Sequence, residues 1–251
     1  MSIDKNIDTK IPIDRQITWD YFEKPHALVS GITGGGKSYF AMYLFYRLLQ
    51  CGEVRIIDPK HADLWQAGNI VLGEKNSVFL PNQICRILRE TCEEIDRRYD
   101  LMSSAARLGM SYLDLKLQPV TLIFDEFAAF FASVSQNKKL KDEADKYLRK
   151  IILTGRQAGV YIVILMQKPA AEVISTDVRD QLGMRVTLGA MDDGGYRMVF
   201  GSQDGFVYHY RPSGSGYIFI PGEGYQTPQV FDAPYISDLQ ELVDRMKSLK
   251  K

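Results

Sequence analysis

The stretch LVSGITGGGKSYF, residues 28–40, places three consecutive glycines directly before a lysine and a serine. Its residues 31–38 fit the pattern G-x-x-x-x-G-K-[S/T], in which glycines let the backbone curl so that successive N–H groups face a phosphate. A predicted strand (26–31) precedes the loop and a predicted helix (37–52) follows it. The agreement of strand, loop and helix predicts a phosphate-binding loop rather than a glycine-rich turn beside an incidental lysine.

The chemistry of nucleoside triphosphates assigns roles within this loop. Lys37, on what is expected to be an exposed loop, would reach the β- and γ-phosphate oxygens, and the Ser38 hydroxyl would ligate Mg²⁺. The helix adds its positive N-terminal end. ATP and Mg²⁺ are therefore the predicted cofactors. The residues expected to contact the nucleotide are Gly31, Thr33, Gly34, Gly35, Gly36, Lys37, Ser38 and Tyr39.

The composition limits the possible functions. The chain has 251 residues, of which 45% are hydrophobic and 25% charged, as in ordinary globular proteins. Its formal net charge is zero, so no global basic field marks a nucleic-acid-coating protein, although a few basic loops around a pore are compatible with this balance. The three cysteines follow no metal-ligand spacing and are expected to be reduced core thiols. The longest strongly apolar run, YIVILM (161–166), is too short to cross a bilayer, and MSIDKNIDTK has no apolar segment typical of a signal peptide.

Predicted strands and helices alternate along the chain. The further strands are EVRIIDPK (53–60), PVTLIFDE (119–126), VYIVILMQKP (160–169) and QLGMRVTLGA (181–190). The further helices are 77–109, 142–159 and 236–250. This order predicts an α/β fold with a mostly parallel sheet covered by helices on both faces. The glycine-rich segment 208–224 predicts a hairpin with GYIFI as one arm. Without repeats or linkers, residues 1–251 are expected to form a single domain with an N-terminal extension, 1–24.

Polar side chains at two strand ends complete the predicted site. Asp125 and Glu126 end one apolar strand, and Gln167 ends another. The carboxyl ends of parallel strands meet at the edge of the sheet where the phosphate loop would lie. The aspartate would hold the Mg²⁺ shell, the glutamate would polarise the attacking water, and the glutamine would sense the γ-phosphate. Acids also end strands for solubility, and a glutamine there can be an ordinary polar residue; pairing with the phosphate loop favours the catalytic interpretation.

Five segments within residues 25–222 resemble, in order, the motor motifs of FtsK/SpoIIIE-type DNA translocases. They are PHALVSGITGGGKS, VRIIDPKHADL, TLIFDEFAAFF, LTGRQAGVYIVILMQKP and RVTLGAMDDGGYRMVFG. The resemblance is closest to the FtsK-like coupling proteins of conjugative elements in Gram-positive bacteria. It implies a RecA-like P-loop ATPase core that works as a ring, usually a hexamer, around double- or single-stranded DNA. The roles given above to the loop, the two acids and the glutamine match the family motifs position by position.

The chain departs from the family pattern in several places. The membrane helices, oligomerising module and winged helix that family members often carry do not fit in it. We therefore expect an excised or minimal motor in the bacterial cytoplasm, at the inner face of the membrane, whose membrane link is a missing segment or a partner. Gly35 stands where many relatives have serine, a difference expected to be trivial. Lys168 stands in place of the arginine of the family's TQRPS and would lack its bidentate fork.

The basic segment ASVSQNKKLKDEADKY, residues 132–147, is the first candidate for DNA contact. It is predicted to be a polar loop on the phosphate-loop side of the sheet. Its Lys138, Lys139 and Lys141 could bind backbone phosphates without reading sequence. A solvated surface loop is the alternative.

The segment 189–205 is the second candidate, for DNA or ring contact. It combines a flexible Gly194-Gly195 pair with the charge of Arg197. By contrast, the aromatic side chains that follow the catalytic strand are predicted to pack in a helix rather than stack on bases. These are Phe127, Phe130 and Phe131.

Two arginines are candidates for completing the site of a neighbouring subunit. Hydrolysis develops charge on the γ-phosphate that a guanidinium from a neighbour can stabilise. Arg156 lies in TGRQAG at a predicted helix end, and Arg185 opens the strand in GMRVTL. Either could instead be an ordinary surface or intrachain salt-bridge residue; the sequence slightly favours Arg156.

The sequence thus predicts an ATP-driven DNA translocase motor that delivers DNA in conjugative transfer or related segregation. A relaxase or secretion channel would be a further partner. One alternative is a protein-moving ATPase like those of type VII secretion, which share this core. Another is a non-hydrolysing ring scaffold, although such a scaffold has no need of Glu126.

Overall fold

The computed structural model describes residues 9–105, 107–167, 175–202, 206 and 212–250. In chain order, the strands are β1 (Lys10–Pro12), β2 (Thr18–Asp20), β3 (Ala27–Gly31), β4 (Glu53–Ile57), β5 (Ser77–Val78), β6 (Val120–Phe124), β7 (Val160–Met166), β8 (Met184–Leu188), β9 (Ser215–Phe219) and β10 (Gln229–Asp232). Eight of them form one sheet in the order β10-β9-β8-β3-β7-β6-β4-β5. Neighbours from β8 to β5 in this order are parallel, while β9 is antiparallel to both of its neighbours, β8 and β10. Strands β1 and β2 form a small hairpin of their own.

Helices cover both faces of the large sheet. In chain order they are α1 (Lys37–Cys51), α2 (Asp63–Leu72), α3 (Pro81–Ser104), α4 (Phe127–Ser133), α5 (Lys138–Ala158), α6 (Thr176–Asp180), α7 (Asp193–Phe200) and α8 (Leu239–Leu249). One apolar cluster joins the sheet to α3, α4, α5, α6 and α7. A second joins its other face to α1, α2, α8 and the β1–β2 hairpin. The predicted α/β fold with two covered faces is confirmed.

The continuous apolar strands follow from this double covering. Every residue of β7 is buried. Its even-numbered residues lie in the first cluster and its odd-numbered residues in the second. Because successive side chains of a strand point to opposite faces, a strand covered on both sides must be apolar throughout.

Strand order decides where the functional residues meet. Strand β7 lies between β3 and β6, and all three run parallel. Their carboxyl ends therefore lie side by side at one edge of the sheet, which we call the carboxyl edge. The phosphate loop follows β3, the two acids follow β6 and Gln167 follows β7. The topology brings these three predicted elements together.

Some predicted element boundaries were wrong. The predicted helix 77–109 begins with the short strand β5 before α3. The GYIFI arm of the predicted hairpin is largely β9, but its antiparallel partners are β8 and β10, the latter beyond the predicted range. Residues 207–211 lie outside the described part of the chain. The described part of the N-terminal extension, from residue 9 onward, packs on the core. Ile11, Trp19 and other side chains of the β1–β2 hairpin are buried in the second cluster.

The predicted DNA-binding loop 132–147 is mostly helical. Helix α4 ends at Ser133, and α5 begins at Lys138 with the Asn137 side chain accepting a hydrogen bond from the Leu140 N–H. The segment looks loop-like in composition, but its buried Ala144 lies four residues before the buried Leu148, which is helical spacing. The three lysines are exposed in the first turn of α5.

The second candidate, 189–205, is not a flexible loop where it is described. Gly194 and Gly195 lie in the first turn of α7, where the Asp192 carboxylate accepts a hydrogen bond from Gly195 N–H at 2.7 Å. This cap fixes the glycine pair in a helix. Arg197 is exposed in the same helix. Residues 203–205 lie outside the described part.

The predicted packing of the aromatic side chains after β6 is confirmed. Phe127 and Phe130 are buried in the first cluster and Phe131 packs against it, so these rings pack as predicted. Cys85 and Cys92 are buried free thiols, as expected, whereas the free thiol of Cys51 is only partly buried. Throughout the described ranges, none of the helices is both long and apolar enough to cross a bilayer.

Candidate functional site

The phosphate loop curls between β3 and α1 because glycines take its strained positions. Gly34 and Gly36 have φ angles of 77° and 96°, in the left-handed region that glycine adopts readily. A Cβ at Gly36 would lie 2.6 Å from the backbone nitrogen of Gly214. The same nitrogen donates a hydrogen bond to the Gly35 carbonyl at 2.9 Å. The segment before β9 therefore packs directly on the loop and requires glycine at position 36.

Gly35 is also constrained, contrary to the expectation that serine would be a trivial replacement. A Cβ there would lie 2.7 Å from the Leu188 carbonyl oxygen and 3.1 Å from that of Ile32. Both atoms belong to the backbone, so a side chain could be accommodated only if the loop or the end of β8 moved. This contact is made across the sheet and could not be read from the loop sequence.

The outer side of the loop is open to solvent. Thr33, Gly34, Ser38 and Tyr39 are exposed, while Lys37 is buried. The serine hydroxyl at the start of α1 is thus accessible to a bound group, in agreement with its predicted role. The lysine is not the exposed loop residue that the sequence suggested.

The Lys37 ammonium lies between the two acids that follow β6. Its Nζ atom is 3.2 Å from Glu126 Oε2 and 3.7 Å from Asp125 Oδ1. A buried charge is stable only when it is paired, and here the acids supply the pairing. Phosphate oxygens can replace these partners, so the arrangement fits a nucleotide.

The donor set at the loop also fits Mg²⁺. Ser38 contributes a hydroxyl and Asp125 a carboxylate, which are the oxygen ligands that this ion prefers. No group of three or more histidine, cysteine, aspartate or glutamate side chains is placed to hold a metal within the described ranges. Phosphate oxygens and water would therefore have to complete the shell, as is usual for Mg²⁺ bound with a nucleotide.

The two acids experience different electrostatic environments. Burial raises the pKa of Asp125; nearby Lys37 lowers it in part, and Asp58 raises it further. Burial is also the largest influence on the pKa of Glu126 and acts to raise it, but Lys37 and Lys60 together outweigh it, so the net pKa is lowered. Glu126 is therefore held ionised, as a residue that polarises water must be.

The backbone at Glu126 is strained. Its φ and ψ angles are 43° and 51°, a left-handed conformation that is uncommon for residues other than glycine. Its N–H donates to Asp125 Oδ1 at 2.8 Å, and the Asp125 N–H donates to the Ile57 carbonyl at 2.8 Å. Strained residues of this kind cluster at functional sites, where the surrounding structure holds them in place.

Two functional candidates were missed by the sequence analysis. Lys60 Nζ lies 3.0 Å from Glu126 Oε2. Asp58, fully buried at the end of β4, accepts backbone hydrogen bonds from Lys60, Ala62 and Trp65. The signal was available, because IIDPKH ends an apolar strand with an acid as IFDE does. The pairing of β4 beside β6, which brings the two strand ends together, is visible only in the fold.

Gln167 lies directly after β7, between the loop and the acids. It is partly buried, and its backbone carbonyl accepts a hydrogen bond from the Ser30 hydroxyl at 3.4 Å. The position suits a γ-phosphate sensor, which stays a prediction. Lys168 lies outside the described residues.

The two candidate arginines lie in contrasting environments. Arg156 is exposed near the end of α5, at the edge of the sheet opposite the phosphate loop, and contacts Glu23 at 3.1 Å. Arg185 is buried; its guanidinium lies 5.1 Å from the Phe219 ring centre and donates to the Phe200 carbonyl at 3.4 Å. Arg156 is thus exposed to solvent, whereas the guanidinium of Arg185 packs within its own chain.

The sheet is mostly parallel; its glycine loop follows β3, its two acids follow β6, and the single strand β7 lies between these two strands. This is the organisation of a P-loop NTPase with a RecA-like core. Solved structures support this class. The fold is similar to that of the pCW3 conjugation coupling protein TcpA in its monomer form with ATPγS, with a TM-score of 0.78 and 17% identity over 98% of this chain and 72% of that one. It is also similar to the cytoplasmic domain of the type VII secretion ATPase EccC of Thermomonospora curvata, with a TM-score of 0.74 and 19% identity over 95% of this chain and 31% of that one. At these identities the likeness establishes the fold alone.

Sequence comparisons give the family. Residues 4–117 match the FtsK/SpoIIIE family model. The FtsK domain-containing protein YdcQ of Bacillus subtilis (strain 168) is 35% identical over 214 residues, which cover 82% of this chain and 43% of that protein. The DNA translocase FtsK of Staphylococcus epidermidis is 25% identical over 241 residues, which cover 88% of this chain and 29% of that protein. The chain belongs to the FtsK/SpoIIIE family, and it spans less than half the length of these relatives.

Proposed function

We propose that this chain is an ATP-hydrolysing motor that moves DNA, working as a coupling protein in conjugative transfer. The observation that carries the proposal is the buried contact of Lys37 with Glu126 and Asp125 at the carboxyl edge. It joins a phosphate-binding cation to an ionised acid suited to polarise water. The DNA substrate is inferred from relatives named as DNA translocases. The conjugative role is inferred from the sequence resemblance, with fold-level support from a conjugation coupling protein.

The site residues suggest how hydrolysis would proceed. Lys37 would leave the two acids for the β- and γ-phosphate oxygens and so free Glu126 to orient and polarise the attacking water. Ser38 and Asp125 would hold Mg²⁺, which when bound neutralises charge developing on the phosphates. Gln167, at the end of the intervening strand, would respond to the presence of the γ-phosphate.

Helix α5 offers a route from this site to DNA. It begins at the carboxyl edge, because it connects β6 to the parallel strand β7. Lys138, Lys139 and Lys141 are exposed in its first turn, where the helix dipole is also positive. Two sources of positive charge thus coincide where backbone phosphates could bind.

Replacing Lys138, Lys139 and Lys141 with alanine is expected to weaken DNA binding equally for all sequences. Each lost phosphate contact reduces the slope of log affinity against log salt, so the slope should fall by up to about three units. Fluorescence anisotropy over a salt series measures both effects. Lys247 and Lys250, at the end of α8 on the other face of the sheet, provide the matched control for alanine replacement. Unchanged affinity and slope in the triple variant would leave these lysines as solvated surface residues.

We further propose that the protein works as a ring, usually a hexamer, in which Arg156 completes the neighbouring site. Its exposure favours it over the buried Arg185. A rigid guanidinium would stabilise transition-state charge on the γ-phosphate that Lys37 and Mg²⁺ leave uncompensated.

Mixing two inactive variants tests the shared site. Arg156→Ala and Glu126→Gln subunits, each nearly inactive alone, should regain turnover when mixed, because some interfaces combine an intact acid with an intact arginine. Specific ATPase activity should also rise with protein concentration. Arg149→Ala is the control, since Arg149 is exposed on the same helix and contacts Asp145. No rescue, together with activity independent of concentration, would exclude a shared site at Arg156.

Protein translocation is the alternative function, because type VII secretion ATPases have a similar fold. A non-hydrolysing ring scaffold is the other. ATPase rates with and without duplex or single-stranded DNA, at a stated low salt concentration, distinguish the three. Stimulation by DNA supports the DNA motor, hydrolysis indifferent to DNA favours the protein motor, and binding without hydrolysis favours the scaffold.

The cellular setting is part of the proposal. We place the motor in the bacterial cytoplasm at the inner face of the membrane, with a relaxase or a secretion channel as its partner. Contact with DNA would be non-sequence-specific, since the proposed contacts are to phosphates.

A further inference from the structure

We propose that Lys60 is a positioning residue of the hydrolytic site, the counter-charge that keeps Glu126 paired and aimed after Lys37 has moved to the nucleotide. This inference rests on the proposed nucleotide-dependent function. It begins from two ammonium groups that share one carboxylate oxygen. Glu126 Oε2 lies 3.2 Å from Lys37 Nζ and 3.0 Å from Lys60 Nζ.

The shared oxygen matters because Glu126 is buried. Its side chain is 10% exposed, whereas that of Lys60 is 46% exposed. Removing one partner of a buried ion pair is strongly unfavourable, because it leaves an uncompensated charge. If Lys37 turned to the phosphates and no second cation were present, the carboxylate would be left unpaired beside Asp125. Lys60 prevents this. It follows β4, which lies on the other side of β6 from β3 and the phosphate loop.

The backbone of Lys60 is fixed, so its side chain starts from a defined place. The Asp58 carboxylate accepts hydrogen bonds from the N–H groups of Lys60 at 3.0 Å and Ala62 at 2.9 Å. The next residue, His61, stacks on Phe79 with ring centres 4.0 Å apart and meets the Trp65 ring at 3.9 Å. The loop after β4 is thus held both by the Asp58 carboxylate and by contacts between aromatic rings. Such preorganisation is what a positioning role requires.

A double-mutant cycle in nucleotide binding tests the inference without relying on hydrolysis. ATPγS is the probe, and its dissociation constant is measured by calorimetry. Lys60→Ala should weaken binding by about tenfold, because binding then leaves Glu126 unpaired. In a Glu126→Gln background the same change should alter binding by less than about twofold, because a neutral amide needs no counter-charge. Lys60→Arg should restore the affinity of the parent to within about threefold, since it keeps the charge.

Turnover provides a second readout. In the otherwise unchanged chain, Lys60→Ala should lower kcat by about tenfold in saturating ATP, since Glu126 is no longer aimed, and Lys60→Arg should recover most of it. Lys75→Ala serves as the control, because Lys75 is exposed before β5 at the opposite edge of the sheet. Thermal unfolding of each variant confirms that it is folded before binding is compared.

Three results would overturn the proposal. Equal weakening in both backgrounds would mean that Lys60 acts on the nucleotide or the fold independently of Glu126. No weakening in either would mean that the carboxylate needs no second partner. Faster ATP turnover in Lys60→Ala would mean that Lys60 inhibits hydrolysis rather than supporting it. The proposed function would be contradicted by a chain that binds nucleotide but whose ATPase activity is not stimulated by DNA. The cycle would still test the role of Lys60 in that case, because it measures nucleotide binding alone.

Discussion

Glu126→Gln is expected to lower ATP turnover by roughly two orders of magnitude or more while ATP remains bound. Glutamine keeps the size of the side chain but cannot polarise water as a carboxylate does. Binding should persist because the change removes a negative charge from a site that accepts phosphates. The loss thus concerns the transition state and not the ground state.

Single-turnover kinetics and nucleotide binding measured on the same sample separate the two effects. Glu74→Gln is the matched control, because Glu74 is exposed in the turn after α2, away from the carboxyl edge. Hydrolysis by Glu126→Gln at the rate of the parent would remove Glu126 from the mechanism. Loss of binding with loss of turnover would instead indicate a structural role for the carboxylate.

Lys37→Ala is expected to abolish ATP binding or weaken it severely. The sequence pattern predicts that the Lys37 ammonium binds the β- and γ-phosphates. In the structure this group lies directly after the loop and contacts Glu126. Calorimetry with ATP measures the effect, with Lys75→Ala as the control. Undiminished binding would refute the assignment of the loop.

The burial of Lys37 adds a consequence for stability. Alanine would leave Asp125 and Glu126 without their shared cation, although Lys60 still contacts Glu126. We therefore expect Lys37→Ala to lower the thermal stability of the nucleotide-free protein as well as its affinity. Thermal unfolding should accompany the binding measurement so that the two losses are separated. A double variant with Glu126→Gln should recover part of the stability, because one buried charge is then removed.

The loop, the acidic strand and the parallel sheet could be predicted because each depends on short-range patterns. The phosphate loop is one continuous run of residues, and strand ends follow from where an apolar run stops. The rule that parallel strands end at one edge then brings Gly31–Ser38 and Asp125–Glu126 together without further information.

Features that depend on contacts between distant segments could not be predicted. The constraint on Gly35 comes from Leu188. The loop pattern already requires glycine at position 36, but the contact of Gly36 with Gly214 is visible only in the fold. Lys60 reaches Glu126 only because β4 pairs with β6. No local pattern carries such information.

Charge-rich helices were the other source of error. The run from Lys138 onward is polar enough to resemble a loop, and only the spacing of its few apolar residues indicates α5. Arg185 was placed correctly on a strand, but its burial depends on Phe219 of a neighbouring strand. Polar composition alone therefore predicts neither the helix at Lys138 nor the burial of Arg185.

We propose that ATP hydrolysis at this site moves the protein along DNA. Displacement of a third strand from a DNA triplex tests it directly, because only a protein travelling along the duplex removes that strand. With ATP, the parent chain should displace the third strand at a rate that depends on the length of duplex ahead of it, and neither Glu126→Gln with ATP nor the parent with ATPγS should do so. DNA-stimulated hydrolysis without any displacement, or displacement by the Glu126→Gln variant at the parental rate, would contradict translocation driven by hydrolysis at this site.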